Sequence, residues 1–253
     1  MTSLADRAAE LLALHHRGTT VVLSTVWDAW SARVAVEAGF DALTIGSHPL
    51  ADSRGQSDNE GMTLDDALDG IRRITGAVDV PVSADVESGY RTPAAELVDR
   101  VLDAGAVGIN VEDTVHSESR MRSAAEHADY IGAIRQAADA AGVDLVINAR
   151  TDVFLKPAGT FDDPVAEAIE RLSACQAAGA RCLYPVLVPD VDALAALQAA
   201  LSTPINVIAD PAGGSTVGSL DDIRSLGVQR VSFGPLLQRA VSGPFSKLIS
   251  PWA

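Results

Sequence analysis

Short runs of apolar and β-branched residues alternate along the chain with longer Ala-rich stretches whose apolar positions recur every three or four residues. The runs predict strands at 20–25, 41–46, 80–85, 107–112, 144–149, 181–184, 205–209 and 229–233. The stretches between them predict helices at 29–38, 64–77, 93–104, 124–141, 164–178, 191–200 and 220–226, with a last one from Pro235. The punctuation agrees. Thr92-Pro93 and Asp163-Pro164 place proline in a first helical turn behind a capping residue. Gly39, Gly105, Gly142, Gly179 and Gly227 follow helical stretches, where a left-handed cap takes glycine.

A strand-then-helix unit repeated eight times predicts an α/β protein of the (β/α)8 TIM-barrel type. A doubly wound dinucleotide fold is disfavoured, because no G-x-G-x-x-G follows the first strand. A further amphipathic stretch at 4–15 predicts an extra N-terminal helix flanking or plugging the bottom of the barrel. No linker or low-complexity segment interrupts the pattern, so a single barrel domain over 1–253 is expected.

Charge narrows the partners. A formal net charge of −15 argues against nucleic acid or an anionic membrane surface. It also means that an anionic substrate needs a local positive focus. Lys156 and Lys247 are the only lysines, and neither suits a Schiff-base site inside a barrel. Cys175 and Cys182 lack metal-ligand or redox spacing and read as buried apolar residues in a reducing compartment. The N-terminal stretch carries Asp6, Arg7 and Glu10 and has no uninterrupted apolar run, so a cytoplasmic location is expected.

Catalytic groups of such barrels sit at the C-terminal ends of the strands. Those ends carry Trp27 and Asp28, then Ser47 and His48, Asp85 and Glu87, Glu112 and Asp113, Arg150 and Asp152, Tyr184, and Asp210. Long loops are expected at 49–63 and 114–123. Like charges about 4 Å apart repel by about 4 kcal/mol at an effective dielectric near 20. A cluster of acids at consecutive strand ends therefore points to a bound hard cation, and oxygen ligands are what Mg²⁺ selects. The bland alternative makes these acids helix caps and ion-pair partners, most plausibly for Asp28 and Asp113. Arg150 either neutralises the cluster or binds an anion. His48 and His116 are mouth-side acid–base candidates or solvated loop residues. Asp210-Pro-Ala-Gly-Gly-Ser reads as a plain turn more readily than as a phosphate cradle.

The residues resemble those of the isocitrate lyase / phosphoenolpyruvate mutase superfamily over nearly the whole chain. The resemblance is carried by W-D-A-W-S-A-R-V-A-V-E-A-G-F from Trp27, I-G-S from Ile45 and G-Q-S-D from Gly55. It continues in P-V-S-A-D-V-E-S-G-Y from Pro81, G-I-N-V-E-D from Gly108 and I-N-A-R-T-D from Ile147. The resemblance implies Mg²⁺, or Mn²⁺ in its place, bound directly by Asp85 and largely through waters by Asp58, Glu87 and Glu112. It implies that Arg150 and the backbone N–H groups of Ser47 and His48 grip a small 2-oxo (di)carboxylic acid, with Trp27 also at the substrate. The implied activity is a lyase that cleaves a C–C bond through an enolate stabilised by the metal.

Two departures qualify that expectation. The loop D-T-V-H-S-E-S-R-M-R-S lacks both the Lys-Lys/Arg-Cys-Gly-His run of the isocitrate lyases and the Lys-x-Asn-Ser element of the mutase branch. His116 is the proton donor expected in their place. C–P chemistry of the mutase or phosphonopyruvate hydrolase kind, or a non-catalytic oxo-acid binder, are the alternatives. Many family members swap a long C-terminal helical region between subunits. The short stretch after the last strand offers no clear counterpart, although a homo-oligomer is expected.

Overall fold

A computed structural model describes residues 2–253. Its parallel strands are β1 (Val21–Val26), β2 (Leu43–Ile45), β3 (Val82–Asp85) and β4 (Gly108–Glu112), then β7 (Val146–Thr151), β8 (Cys182–Pro185), β9 (Asn206–Ile208) and β10 (Arg230–Ser232). They hydrogen-bond in the order β8-β7-β4-β3-β2-β1-β10-β9. A parallel bridge between Leu183 and Ile205 joins β8 to the segment entering β9, leaving a nearly closed ring. Helices α2 (Ala29–Glu37), α4 (Leu64–Thr75), α5 (Ala94–Asp103), α6 (Ala124–Ala140), α7 (Pro164–Ala177), α8 (Val191–Ala200), α9 (Leu220–Ser225) and α10 (Leu236–Ile249) follow the eight strands. This is a (β/α)8 barrel, as the alternation predicts. Asp163 caps α7 through Val165 and Ala166 N–H, both at 3.0 Å, with Pro164 first in the helix. Pro93 instead stands one residue before α5, which has no side-chain cap.

Strand alternation divides the buried residues by chemistry. Ile109 and Val111 of β4, Ile147 and Ala149 of β7 and Val231 of β10 belong to the apolar layer packed with the helices. The alternate positions are polar: Ser83 and Asp85, Asn110 and Glu112, Asn148, and Arg230 and Ser232 are all buried. The centre of this barrel is therefore a polar column sheathed in hydrocarbon. The extra helix α1 (Leu4–His15) packs at its base. A Cβ on Gly108, the first residue of β4, would fall 2.9 Å from Leu11 Cδ2, so glycine is what lets α1 approach.

Two segments read as loops hold regular structure. Residues 49–53 belong to helix α3 (Ser47–Ser53), and only the remainder of 49–63 is irregular. The 114–123 loop contains a hairpin of β5 (Thr114–Val115) and β6 (Arg120–Met121) around a short 3₁₀ turn at His116–Glu118. The last helix, α10, buries none of its residues. No helix among the described residues is long and apolar enough to cross a membrane.

Candidate active site

A cavity of about 270 Å³ opens at the C-terminal ends of the strands. Its polar wall includes Ser47, His48, Asp58, Asp85, Asn110, Arg150, Tyr184 and Arg239, and its apolar wall includes Leu155, Val186, Leu187, Ile208 and Leu236. Six of the expected residues thus share one space: Ser47, His48, Asp58, Asp85, Arg150 and Tyr184. α3 starts here on Gly46, which supplies no side-chain cap. The first N–H groups of a helix lack intrahelical acceptors, so Ser47 and His48 present theirs at the cavity wall. His48 Nδ1 lies 3.1 Å from Asp58 Oδ2, while Asp58 Oδ1 is buried without a hydrogen-bond partner.

Glu87, Glu112 and His116 gather beside this space, with one ligand atom from each within 4.8 Å of the others. His116 Nε2 lies 2.7 Å from Glu112 Oε1. Arg150 joins the two groups, lining the cavity while placing Nη1 2.7 Å from Glu112 Oε2 and 3.9 Å from Asp85 Oδ2. Its Nε is also 2.7 Å from Asp152 Oδ1. Asp85 Oδ1 accepts the Glu87 N–H at 3.0 Å. Glu87 has φ of +49°, a left-handed conformation that turns the chain directly after β3.

The electrostatics follow from burial. Burial raises the pKa of Asp85 against the opposing pull of Arg150. Burial, then the Asp85 charge, pushes Glu87 up to about 8. Burial also pushes Glu112 up to about 7, although Arg150 and His116 oppose the rise. The Glu112 hydrogen bond raises His116 above its ordinary value. Burial works against the Arg150 charge, but Glu112, Asp152 and Asp85 outweigh it and hold the guanidinium protonated. Three buried acids thus face one fixed cation. Together with the orphaned Asp58 oxygen, this donor set suits a hard divalent ion taking oxygen ligands.

Some expected residues stand elsewhere. Trp27 does not line the cavity; its backbone N–H meets Ser31 Oγ and its carbonyl accepts from Ser53 Oγ, so it serves the start of α2. Asp28 is the α2 cap, accepting Ser31 N–H at 2.7 Å. Asp113 is a buried tie, bound by Thr151 Oγ1 at 2.7 Å, Asp152 N–H at 3.0 Å and Arg171 at 3.3 Å. Asp210 forms a local turn through Ala212 N–H. His116 does not line the cavity either and approaches it only through Glu112.

Two residues escaped the sequence reading. Glu60 accepts the Ser117 N–H at 3.0 Å and the Ser88 hydroxyl, and donates its own N–H to Glu87. Arg239 lines the cavity from α10 with no ion-pair partner among the described residues. Nothing in the sequence marks it, because its lack of a partner is visible only in the fold.

A family model described as phosphoenolpyruvate phosphomutase matches residues 11–250. The chain belongs to the isocitrate lyase / phosphoenolpyruvate mutase superfamily. Among curated relatives, 2-methylisocitrate lyase of Escherichia coli is 30% identical over 84% of this chain and 73% of its own length. Oxaloacetate decarboxylase of Rhodopseudomonas palustris is 31% identical over 89% of this chain and 77% of its own. A Burkholderia cenocepacia structure provisionally called a phosphonomutase superposes with a TM-score of 0.88 at 37% identity, covering 96% of this chain and 99% of that one. These relatives place the chain among the carbon–carbon lyases and mutases of the superfamily.

Proposed function

We propose that the protein is a Mg²⁺-dependent lyase that cleaves a C–C bond beside the carboxylate of a small 2-oxo (di)carboxylic acid. The observation that carries this reading is the meeting of Asp58, Asp85, Arg150 and the uncapped start of α3 in one cavity. Asp85 would hold the ion, with Asp58, Glu87 and Glu112 completing its surroundings; Mn²⁺ suits the same donors. The ion would supply fixed positive charge to oxygens that become more negative as the bond breaks. Arg150 binds the substrate carboxylate, aided by the Ser47 and His48 N–H groups. Arg239, which lines the same cavity, suits a second carboxylate and favours a dicarboxylic substrate. His116, whose pKa its hydrogen bond to Glu112 raises, is the donor that quenches the enolate.

The oxaloacetate decarboxylase relatives make oxaloacetate, a 2-oxo dicarboxylic acid, the first compound to assay. The deciding experiment is thermal unfolding with Mg²⁺ and oxalate, a mimic of the pyruvate enolate. Ligand at about one hundred times its Kd stabilises the native state by about 2.7 kcal/mol. A rise in midpoint that needs both ligands and disappears in Asp85→Ala supports the reading. No rise in the unsubstituted protein would overturn it.

We also infer a homo-oligomer, because Val241, Phe245, Leu248, Ile249 and Trp252 are exposed at helical spacing along α10 and its extension. The two free, buried cysteines suit a cytoplasmic location.

A further inference from the structure

Arg230 is fully buried in the polar column below the cavity, on the same side of β10 as Ser232. No carboxylate forms an ion pair with it among the described residues. The groups that face it are His15 of α1, Cys182 and Tyr184 of β8, Asp85 of β3 and Asn110 of β4. Its Nη2 donates to Asn110 Oδ1 at 3.2 Å and the guanidinium lies against the Cys182 thiol, whereas Nε and Nη1 have no oxygen or nitrogen partner. An isolated charge is costly to bury, and an apolar residue would fill the same space without that cost.

The contact fixes a neighbour. Arginine offers donors only, so the Asn110 atom that meets it must be the amide oxygen. Turning the amide over would set N–H against N–H. The same oxygen accepts Asn148 Nδ2 at 2.8 Å, which leaves Asn148 Oδ1 without a partner. Arg230 therefore dictates the polarity of both amides. With two donors on its oxygen, Asn110 turns its own NH₂ the other way, where one N–H serves the Asp85 carboxylate and the second is left for a ligand. Asn110 lines the cavity and is the register partner of Asp85 on the adjacent strand.

We propose that Asn110 donates a hydrogen bond to a carboxylate or enolate oxygen of the bound acid, and that Arg230 is the positioning residue that holds this donor in place. The proposal rests on the oxo-acid reading above and adds to it a donor from the barrel interior. Asn110, Arg150 and the start of α3 all line the one cavity.

Calorimetric titration of oxalate at saturating Mg²⁺ tests it on the full chain. Asn110→Ala is expected to weaken oxalate about tenfold, the loss of a hydrogen bond to an anion. Arg230→Met should weaken it comparably, and Arg230→Lys, which restores a donor, should recover part of the loss. In the Asn110→Ala background neither Arg230 change should weaken oxalate further, because the arginine acts through the amide. Unchanged oxalate affinity in Asn110→Ala would overturn the donor role. A lower midpoint in Arg230→Met with unchanged oxalate affinity would overturn the positioning role. If Arg230→Met fails to fold, Arg230→Lys in the two backgrounds decides: additive losses refute the coupling. Absence of oxalate binding by the unsubstituted protein would overturn the oxo-acid reading itself, and this proposal with it.

Discussion

Arg150 and Glu112 are register partners on adjacent parallel strands, and their side chains meet at 2.7 Å. The arginine expected to grip the substrate thus rests on an acid expected to serve the metal. Glu112 helps hold the guanidinium protonated, and Arg150 opposes the burial that raises the Glu112 pKa. Removing the cation leaves Glu112, Asp152 and Asp85 without a counter-charge, and unpairing a buried ion costs about 3–5 kcal/mol.

Arg150→Gln is therefore expected to lower the urea midpoint at unchanged m-value and to abolish oxalate binding. Its Mg²⁺ affinity should rise, because the acid cluster loses its competing cation. Titration calorimetry with Mg²⁺ alone reads that sign, and a weaker Mg²⁺ complex would count against the shared-site account.

Much of the fold was legible in the sequence, for physical reasons. Strands buried on both faces and Gly-ended helices leave a clear alternation, and the 4–15 helix shows its period. α3 was not legible because Gly46 is a weak cap signal and Pro49 looks like a loop residue. Proline is tolerated there because a first-turn N–H has no partner to lose. The strand-end rule found Asp85, Glu112 and Arg150 but misplaced Trp27, since order along the chain does not give side-chain direction. Glu60 was hidden because its reach depends on left-handed backbone at Asn59 and Glu60, with φ of +63° and +59°. Arg239 lies within a helix, where no strand-end rule looks.

Glu60 supplies the second prediction. Its carboxylate holds the Ser117 N–H and so ties the 54–63 segment to the hairpin. Glu60→Ala is expected to speed amide exchange at Ser117 about tenfold while leaving β4 and β7 unchanged. Deuterium exchange read by mass spectrometry checks this; equal rates at Ser117 would show that the hairpin stands without the tie.

His127 gives a pH prediction. Burial, with the charges of Arg122 and Arg171 adding to it, lowers its pKa to about 3, whereas the unfolded chain titrates near 6.5. Between those values the unfolded state binds the extra proton, so this contribution is complete above pH 6.5 and is lost as pH falls toward 3. From pH 7.5 to 5.5 the loss is about 1.4 kcal/mol. Urea unfolding of the native chain and of His127→Gln at both pH values isolates the difference, which should shrink at the lower pH.

Gly89 gives a steric prediction. It adopts φ of +96°, and an added Cβ would sit 2.3 Å from the Tyr130 hydroxyl oxygen. Gly89→Ala should destabilise the chain by about 1–3 kcal/mol and loosen Mg²⁺ binding, since Gly89 closes the turn that carries Glu87. Urea midpoints and Mg²⁺ titration report the two effects separately.

The exposed face of α10 supports a final prediction. Leu248→Glu, which puts a charge into the apolar stripe, is expected to shift sedimentation toward the monomer with the circular dichroism unchanged. A sedimentation coefficient identical to that of the native chain would place the interface elsewhere.

The hairpin of β5 and β6 pairs only with itself in the strand topology, and its ends are pinned where Arg122 N–H meets the Asp113 carbonyl at 2.7 Å. Residues 114–121 therefore form a cassette: a closed insert on a frame that does not depend on it for its own hydrogen-bonded ring. A lineage, or an engineer, can exchange the insert between the same two anchors and change the chemistry at the mouth while the barrel beneath is inherited intact.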